Sequence, residues 1–235
     1  FMLLLSLNYI EVIMLENGYE IIDDFLSEKC IAELKEELAL LNIARQQGGI
    51  RNIERKSQAI FCLSKSESIL HTAQLYLTGQ PRLVRAIYFN KTSEQNWSVT
   101  WHQDKTVAVT KRFSELNWQA WSMKDQTLHV QPPVEVLNDM ITLRIHLDSA
   151  TVENGCLKVI PGSHKLGILS NEQINKVVSK NHSAICQGRS GSVLLMRPHL
   201  LHASGKAIVS GQRRVIHLEY SSYRLPDGVQ WAAQA

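Results

Sequence analysis

Charge of one sign is what this sequence most conspicuously lacks: 25 Lys and Arg stand against 22 Asp and Glu, for a formal net charge of +3. The basic residues form no block, so the electrostatic footprint of a nucleic-acid-binding surface is missing and no nucleic-acid partner is expected. Long apolar runs are also absent. No stretch approaches the roughly 18 uninterrupted apolar residues of a membrane helix, so no membrane partner is expected either. Cysteine is sparse: Cys30, Cys62, Cys156 and Cys186 lie far apart with no CxxC pair. That spacing speaks against a zinc knuckle, a redox pair or a dense disulfide framework, and fits reduced thiols in a cytoplasm. The apolar segment Met2 to Leu7 has no basic flank or small-residue cleavage site, so it reads as a packing strand or an extension rather than a secretory signal. Phe1 ahead of Met2 reads as a foreign remnant, with Met2 and Met14 both open as the natural start.

What is present fits one domain over residues 1–235. The chain is long enough to bury a sizeable core, and 44% apolar with 20% charged residues is ordinary for a globular protein. Two halves differ in character. In the first, about 18–80, Gly18 to Phe25 reads as a short strand. Ser27 then offers an N-cap to a helix ending near Leu41, with Ile31, Leu34, Leu38 and Leu41 at helical spacing. Arg45 to Arg55 reads as a loop and Ser66 to Leu77 as a second helix.

From about 81 to 222 the pattern becomes short β-prone runs: Leu83 to Asn90, Trp97 to His102, Ile141 to Asp148, Cys156 to Ile160, Ser192 to Met196 and Val215 to Tyr220. Turn signals separate them, notably Asn154-Gly155 and Pro161-Gly162. The fold class expected from these runs is therefore mainly β, a sandwich or jelly-roll (cupin-like) barrel behind N-terminal scaffold helices. Phe113 to Leu137, with Trp118, Trp121 and Pro132-Pro133, reads as a long insertion forming a lid or substrate wall.

His102 and Asp104 stand two apart in a strand, so their side chains share a face and can reach one metal ion. A third ligand, one more imidazole, would complete a set of two His and one carboxylate. That set leaves half an octahedral ion open, as iron chemistry with a bidentate cosubstrate and O2 requires. Zinc sites are usually closed or keep one open position. Spacing alone leaves a rival pair, His146 and Asp148, and two distal candidates, His199 and His202, of which strand alternation turns only one inward.

Four pieces in order resemble the phytanoyl-CoA dioxygenase family: Trp101 to Asp104, Asn154 to Lys165 (Asn-Gly-Cys-Leu-Lys-Val-Ile-Pro-Gly-Ser-His-Lys), His202 to Gly205, and Arg213. The resemblance spans roughly residues 80 to 222. It implies a double-stranded β-helix, Fe(II) held by His102, Asp104 and His202, and 2-oxoglutarate whose far carboxylate pairs with Arg213, eleven residues beyond His202. A planar guanidinium makes two parallel bonds to a carboxylate, which is why Arg suits that position. By the same resemblance Ser204 donates to the cosubstrate, Gln103 lies near it, and Arg144 occupies a cosubstrate-pocket position where some members carry an aromatic residue, with a substrate-anion contact as the alternative.

The implied reaction uses O2 to hydroxylate an unactivated C–H bond of a small-molecule substrate, releasing succinate and CO2. Related halogenases lack the carboxylate, so Asp104 favours oxygenation. The competing reading is a catalytically silent metal- or ligand-binding jelly roll. Trp101, Tyr88 and Phe89 are expected in the core, Trp118 and Trp121 in lid packing or substrate contact, and His217 in a structural or surface place. Substrate identity and oligomeric state are not encoded in any motif.

Overall fold

The computed structural model describes residues 13–41 and 49–234; the Met2 to Leu7 segment lies outside them. Its centre is a six-stranded antiparallel sheet ordered β1 (Tyr19–Ile22), β11 (Val193–Met196), β8 (Met140–His146), β13 (Arg213–Ser221), β3 (Arg82–Lys91) and β2 (Ile50–Arg51). A four-stranded sheet faces it: β10 (Ala184–Cys186), β9 (Leu157–Val159), β12 (His202–Ser204) and β4 (Val99–His102). The two sheets make the expected jelly roll, a double-stranded β-helix.

Alternation along β3, β8 and β13 decides what lies on each side of the large sheet. Ala86, Tyr88, Ile141, Leu143, Ile145, Ile216, Leu218 and Tyr220 join the main apolar core, beneath α1 (Glu28–Leu40), α2 (Gln58–Ser64) and α3 (Glu67–Gln74). The residues between them, including Arg85, Arg144, Arg213, His217 and Glu219, turn into the lumen and are nonetheless buried. Tyr88 is thus core as expected, whereas Phe89 faces the lumen.

Local signals explain most element ends. Ser27 caps α1 by accepting from the Cys30 amide. Ser57 caps α2, a helix the sequence reading passed over, and Ser170 and Gln173 form a reciprocal capping box on α5 (Asn171–Lys180), also passed over. Gly155 sits at φ 72°, and a Cβ there would stand 2.4 Å from the Gly205 carbonyl oxygen, so the Asn154-Gly155 turn requires glycine on two counts.

One expectation needs correction. Part of the Arg45 to Arg55 loop is ordered structure: Ile50 and Arg51 pair with β3, and a 3₁₀ turn follows over Ile53–Arg55. The Phe113 to Leu137 insertion has secondary structure of its own. It contains the hairpin β6 (Gln119–Lys124) and β7 (Thr127–Gln131), to which β5 (Val107–Val109) adds a third strand, and then α4 (Val134–Asn138). The turn residues Asp125 and Gln126 both have positive φ, the geometry of a tight hairpin turn, without the Asn-Gly pair that would have announced it. Trp118 is buried in a second apolar cluster, with Trp121 packed against it.

Asp148 ends β8 by accepting from both the backbone and the guanidinium of Arg214, and it also pairs with Lys35 at 2.9 Å. This outward anchor for Arg214 leaves Arg213 facing the lumen. Burial works against the Asp148 carboxylate, but the bonds from Arg214 and Lys35 outweigh it and bring its pKa down to about 2. A depressed folded-state pKa stabilises above the unfolded value, roughly 4, and that contribution fades as pH falls through 2. Asp148→Asn should therefore cost about 1–2 kcal/mol at neutral pH. In urea titrations its deficit relative to the unsubstituted protein should close between about pH 4 and pH 2.

Candidate metal and cosubstrate site

His102 and His202 occupy directly paired positions on β4 and β12, and their ring centroids stand 4.1 Å apart. Asp104 follows β4, and its amide donates to the Pro198 carbonyl at 2.9 Å, which ties the chain beyond the strand to the approach to β12. The carboxylate faces both rings: Asp104 Oδ2 is 3.5 Å from His202 Nε2, and Oδ1 is 3.9 Å from His102 Nε2. One candidate ligand atom from each residue lies within 4.8 Å of the others.

The imidazoles are prepared as ligands by their other nitrogens. His102 Nδ1 lies 2.8 Å from the Thr100 carbonyl and His202 Nδ1 lies 2.8 Å from the Leu200 carbonyl. A carbonyl only accepts, so each Nδ1 carries the proton and each Nε2 presents its lone pair to the cluster. Burial, opposed by Asp104, lowers the His202 pKa to about 4, so that ring is neutral at physiological pH. For Asp104, burial alone would raise the pKa. His202, Arg85, His217 and His102 together outweigh it and hold the carboxyl well below its ordinary range. Two neutral nitrogen donors and one ionised carboxylate are a donor set that fits a divalent iron.

Gln103, between two of these residues, has a different task from the cosubstrate contact expected of it. Its amide nitrogen donates to the carbonyls of Gly167 and His199, both at 2.7 Å, and its oxygen accepts from the Leu169 amide at 2.8 Å. The side chain fastens the segment after β9 to the approach to β12.

Further into the lumen, three cations converge without a carboxylate. Arg213 is 5% exposed and makes no hydrogen bond or ion pair within the described residues; its buried Nε has no partner. Arg144 donates to His217 Nδ1 at 2.8 Å and lies over the Phe89 ring at 5.3 Å, its own Nε unpartnered. Lys91 donates to the Gly205 carbonyl. Burial, then Arg213 and Arg144, lower the Lys91 pKa to about 8. Ser204 is buried on β12, two residues beyond His202, with its hydroxyl unclaimed by the described residues. Buried charge of one sign with open donors is costly unless an anion compensates it.

A buried chain crosses the lumen beside this group. Arg85 Nη2 donates to Glu219 Oε1 at 2.6 Å, and His217 Nε2 lies 2.8 Å from the same oxygen. Because the Arg144 guanidinium has no acceptor, His217 Nδ1 must accept from it, which leaves Nε2–H to donate to Glu219. His217 is therefore an interior residue, 2% exposed, which fits the structural half of what was expected of it and excludes the surface half. Arg85, Lys91 and Glu219 carried no expected role, though Arg85-x-Ile87-x-Phe89-x-Lys91 and His217-x-Glu219 have the alternation that places them together.

The rival sequence candidates fall elsewhere. Asp148 is engaged with Arg214 and Lys35, and His146 meets the Ser192 hydroxyl at 3.0 Å, so these two do not form a metal pair. His199 is fully buried against His164, away from the cluster. Trp101 packs partly buried beneath Lys158.

A jelly roll presenting two imidazoles and one carboxylate around a space for one ion defines the class of non-haem Fe(II) oxygenases. The chain belongs to the phytanoyl-CoA dioxygenase (PhyH) family, whose profile matches residues 14–215, and is a 2-oxoglutarate-dependent dioxygenase using Fe(II) and O2. Among curated proteins it is 22% identical, over 88% of its length and 76% of the relative's, to a probable alpha-ketoglutarate-dependent hypophosphite dioxygenase of Stutzerimonas stutzeri. Among solved structures it resembles EctD from S. alaskensis with 2-oxoglutarate and 5-hydroxyectoine. That match has a TM-score of 0.71 and 18% identity over 93% of this chain and 77% of that one. It also resembles the epimerase SnoN in complex with Fe3+, alpha ketoglutarate and nogalamycin RO, with TM-score 0.71 and 16% identity over 95% and 88%.

If Gln103 is a fastener, Gln103→Leu strands two carbonyls and an amide in a buried setting and should destabilise by about 1–3 kcal/mol. Thermal unfolding checks the loss. Binding of Co(II) as a spectroscopic stand-in should weaken in the same variant, because Asp104 and the approach to His202 lose their common tie.

Proposed function

We propose that His102, Asp104 and His202 hold Fe(II), that Arg213 holds the far carboxylate of 2-oxoglutarate with Ser204 and Arg144 beside it, and that this single domain hydroxylates a C–H bond of a small molecule. The observation that carries this reading is the placement of three buried, uncompensated cations beside a two-histidine, one-carboxylate cluster. A dicarboxylate cosubstrate supplies the missing negative charge.

When bound, iron and 2-oxoglutarate supply the oxidising power, one oxygen atom of O2 going to succinate as CO2 leaves and the other to the substrate. The chain's own residues bind and orient. The carbonyls of Thr100 and Leu200 keep His102 and His202 in the ligand tautomer. Asp104 stays ionised in the field of the Arg85 guanidinium. Arg213 offers a planar fork that fixes a carboxylate by two parallel bonds, and its burial makes that pairing stronger than in water. Arg144, held by His217, adds a second donor from the adjacent strand β8. A cytoplasmic setting goes with four free cysteines. No helix among the described residues is long and apolar enough to cross a membrane.

Anaerobic protein given Fe(II) and 2-oxoglutarate should develop a weak visible charge-transfer band and, on admission of O2, form succinate. No band, and no succinate above a protein-free control, would favour a silent binding module. Asp104→Ala should abolish turnover. Arg213→Ala should weaken 2-oxoglutarate by about 100-fold, read by titrating the band, since one partner of a buried charged pair is gone.

A further inference from the structure

A cavity of about 350 Å³ opens from the His102 and Asp104 pair toward solvent. Its lining combines the apolar side chains of Ile87, Phe89 and Trp97 with the cations Arg51, Arg85 and Lys124. Two of these cations are already neutralised. Arg85 is paired with Glu219 at 2.6 Å, and Arg51 with Asp125 at 2.9 Å, where it staples the β6–β7 hairpin beside the opening. Asn52 strengthens that staple by donating to the Thr127 hydroxyl. Lys124 differs from both, since no hydrogen bond or ion pair within the described residues engages it. It lies on β6 one residue from Met123, which is 66% exposed, while Lys124 itself turns half-buried into the cavity.

We propose that the substrate is a small organic anion whose acidic group is held by Lys124, with its hydrocarbon part lying along Ile87, Phe89 and Trp97 toward His102 and Asp104. This assignment rests on the oxygenase reading above. One cavity holds a cationic anchor, an apolar lining and two residues of the metal cluster, so an acid held by Lys124 leaves a C–H bond away from the acid to face the cluster. A cavity of about 350 Å³ is of the size that takes a small molecule. Burial, then Arg85 and Arg51, lower the Lys124 pKa, and an anion at that position would reverse this by compensating the crowded positive charge. Phe89 and His217 line the cavity and also touch Arg144, so they stand between this anion site and the cosubstrate cations.

The test uses 3-phenylpropionate as probe, with the near-isosteric 3-phenylpropanamide and 3-phenylpropylamine beside it. Binding is measured by calorimetry with and without Fe(II) and 2-oxoglutarate, and by perturbation of the charge-transfer band. The acid should bind at least about tenfold more tightly than the amide, and the amine should bind most weakly. That preference should vanish in Lys124→Met, return in Lys124→Arg, and persist in Met123→Ala, whose side chain faces solvent. Equal binding of acid and amide, or an acid preference that survives Lys124→Met, would overturn the anion site while leaving the band intact. Acid selectivity without any charge-transfer band would instead overturn the oxygenase reading, and with it the status of the anion as substrate.

Discussion

A row of charged side chains stands where a jelly roll of this size has room for hydrocarbon, and one-residue alternation on three adjacent strands holds it there. On β3, β13 and β8 the inward positions include Arg85, Lys91, Arg213, His217, Glu219 and Arg144, and the intervening residues form the apolar core under the helices. A slip of one residue in any of these pairings would drive guanidinium and carboxylate groups into that core. Each such burial costs several kcal/mol, so the register is specified by what it avoids as firmly as by what it gains. The outward pairing of Arg214 with Asp148 fixes the same phase at the start of β13.

Within the lumen the charges are sorted. Glu219, fully buried, takes Arg85 on one side and His217 on the other through a single oxygen. His217 in turn accepts from Arg144, so one neutral imidazole links the carboxylate to a guanidinium that has no acid of its own. Arg213 and Lys91 complete a group of three cations. Nothing in the helical layer or the large sheet requires them; a hydrophobic replacement of similar volume would suit stability better. An anion bound among them would offset that cost.

Much of this was legible in the chain itself, and the failures have physical reasons. Spacing alone left two candidate metal pairs and two distal histidines open, and family resemblance chose His102, Asp104, His202 and Arg213 among them, while the strand runs from Leu83 onward showed in their β-branched and apolar alternation. Strand alternation already turned the Gln103 side chain away from the iron, but its backbone partners, Gly167, Leu169 and His199, lie 64 or more residues further along and no local pattern names them. The β6–β7 hairpin was hidden by a turn made of Asp125 and Gln126, residues that reach positive φ without advertising it. The α2 and α5 helices carried serine caps that went unread between stronger signals. Glu219 was overlooked, and His217 left between structural and surface places, because a polar residue in a strand is ordinarily solvent-facing, and only the closed second sheet turns that face into an interior.

Closure of the lumen also sets how two anions can be handled side by side. The cosubstrate cations are buried and several, whereas Lys124 is single and half-buried, and Phe89 with His217 lines its cavity while also touching Arg144. A dicarboxylate satisfies the deep group with one end and still reaches the metal cluster with the other, which a monoacid cannot do at equal length. A monoacid anchored by Lys124, in turn, leaves its hydrocarbon facing the cluster. Selection between the two ligands follows from the number and depth of the positive charges on each side of one aromatic ring and one imidazole, with no need for either compartment to recognise more than charge and length.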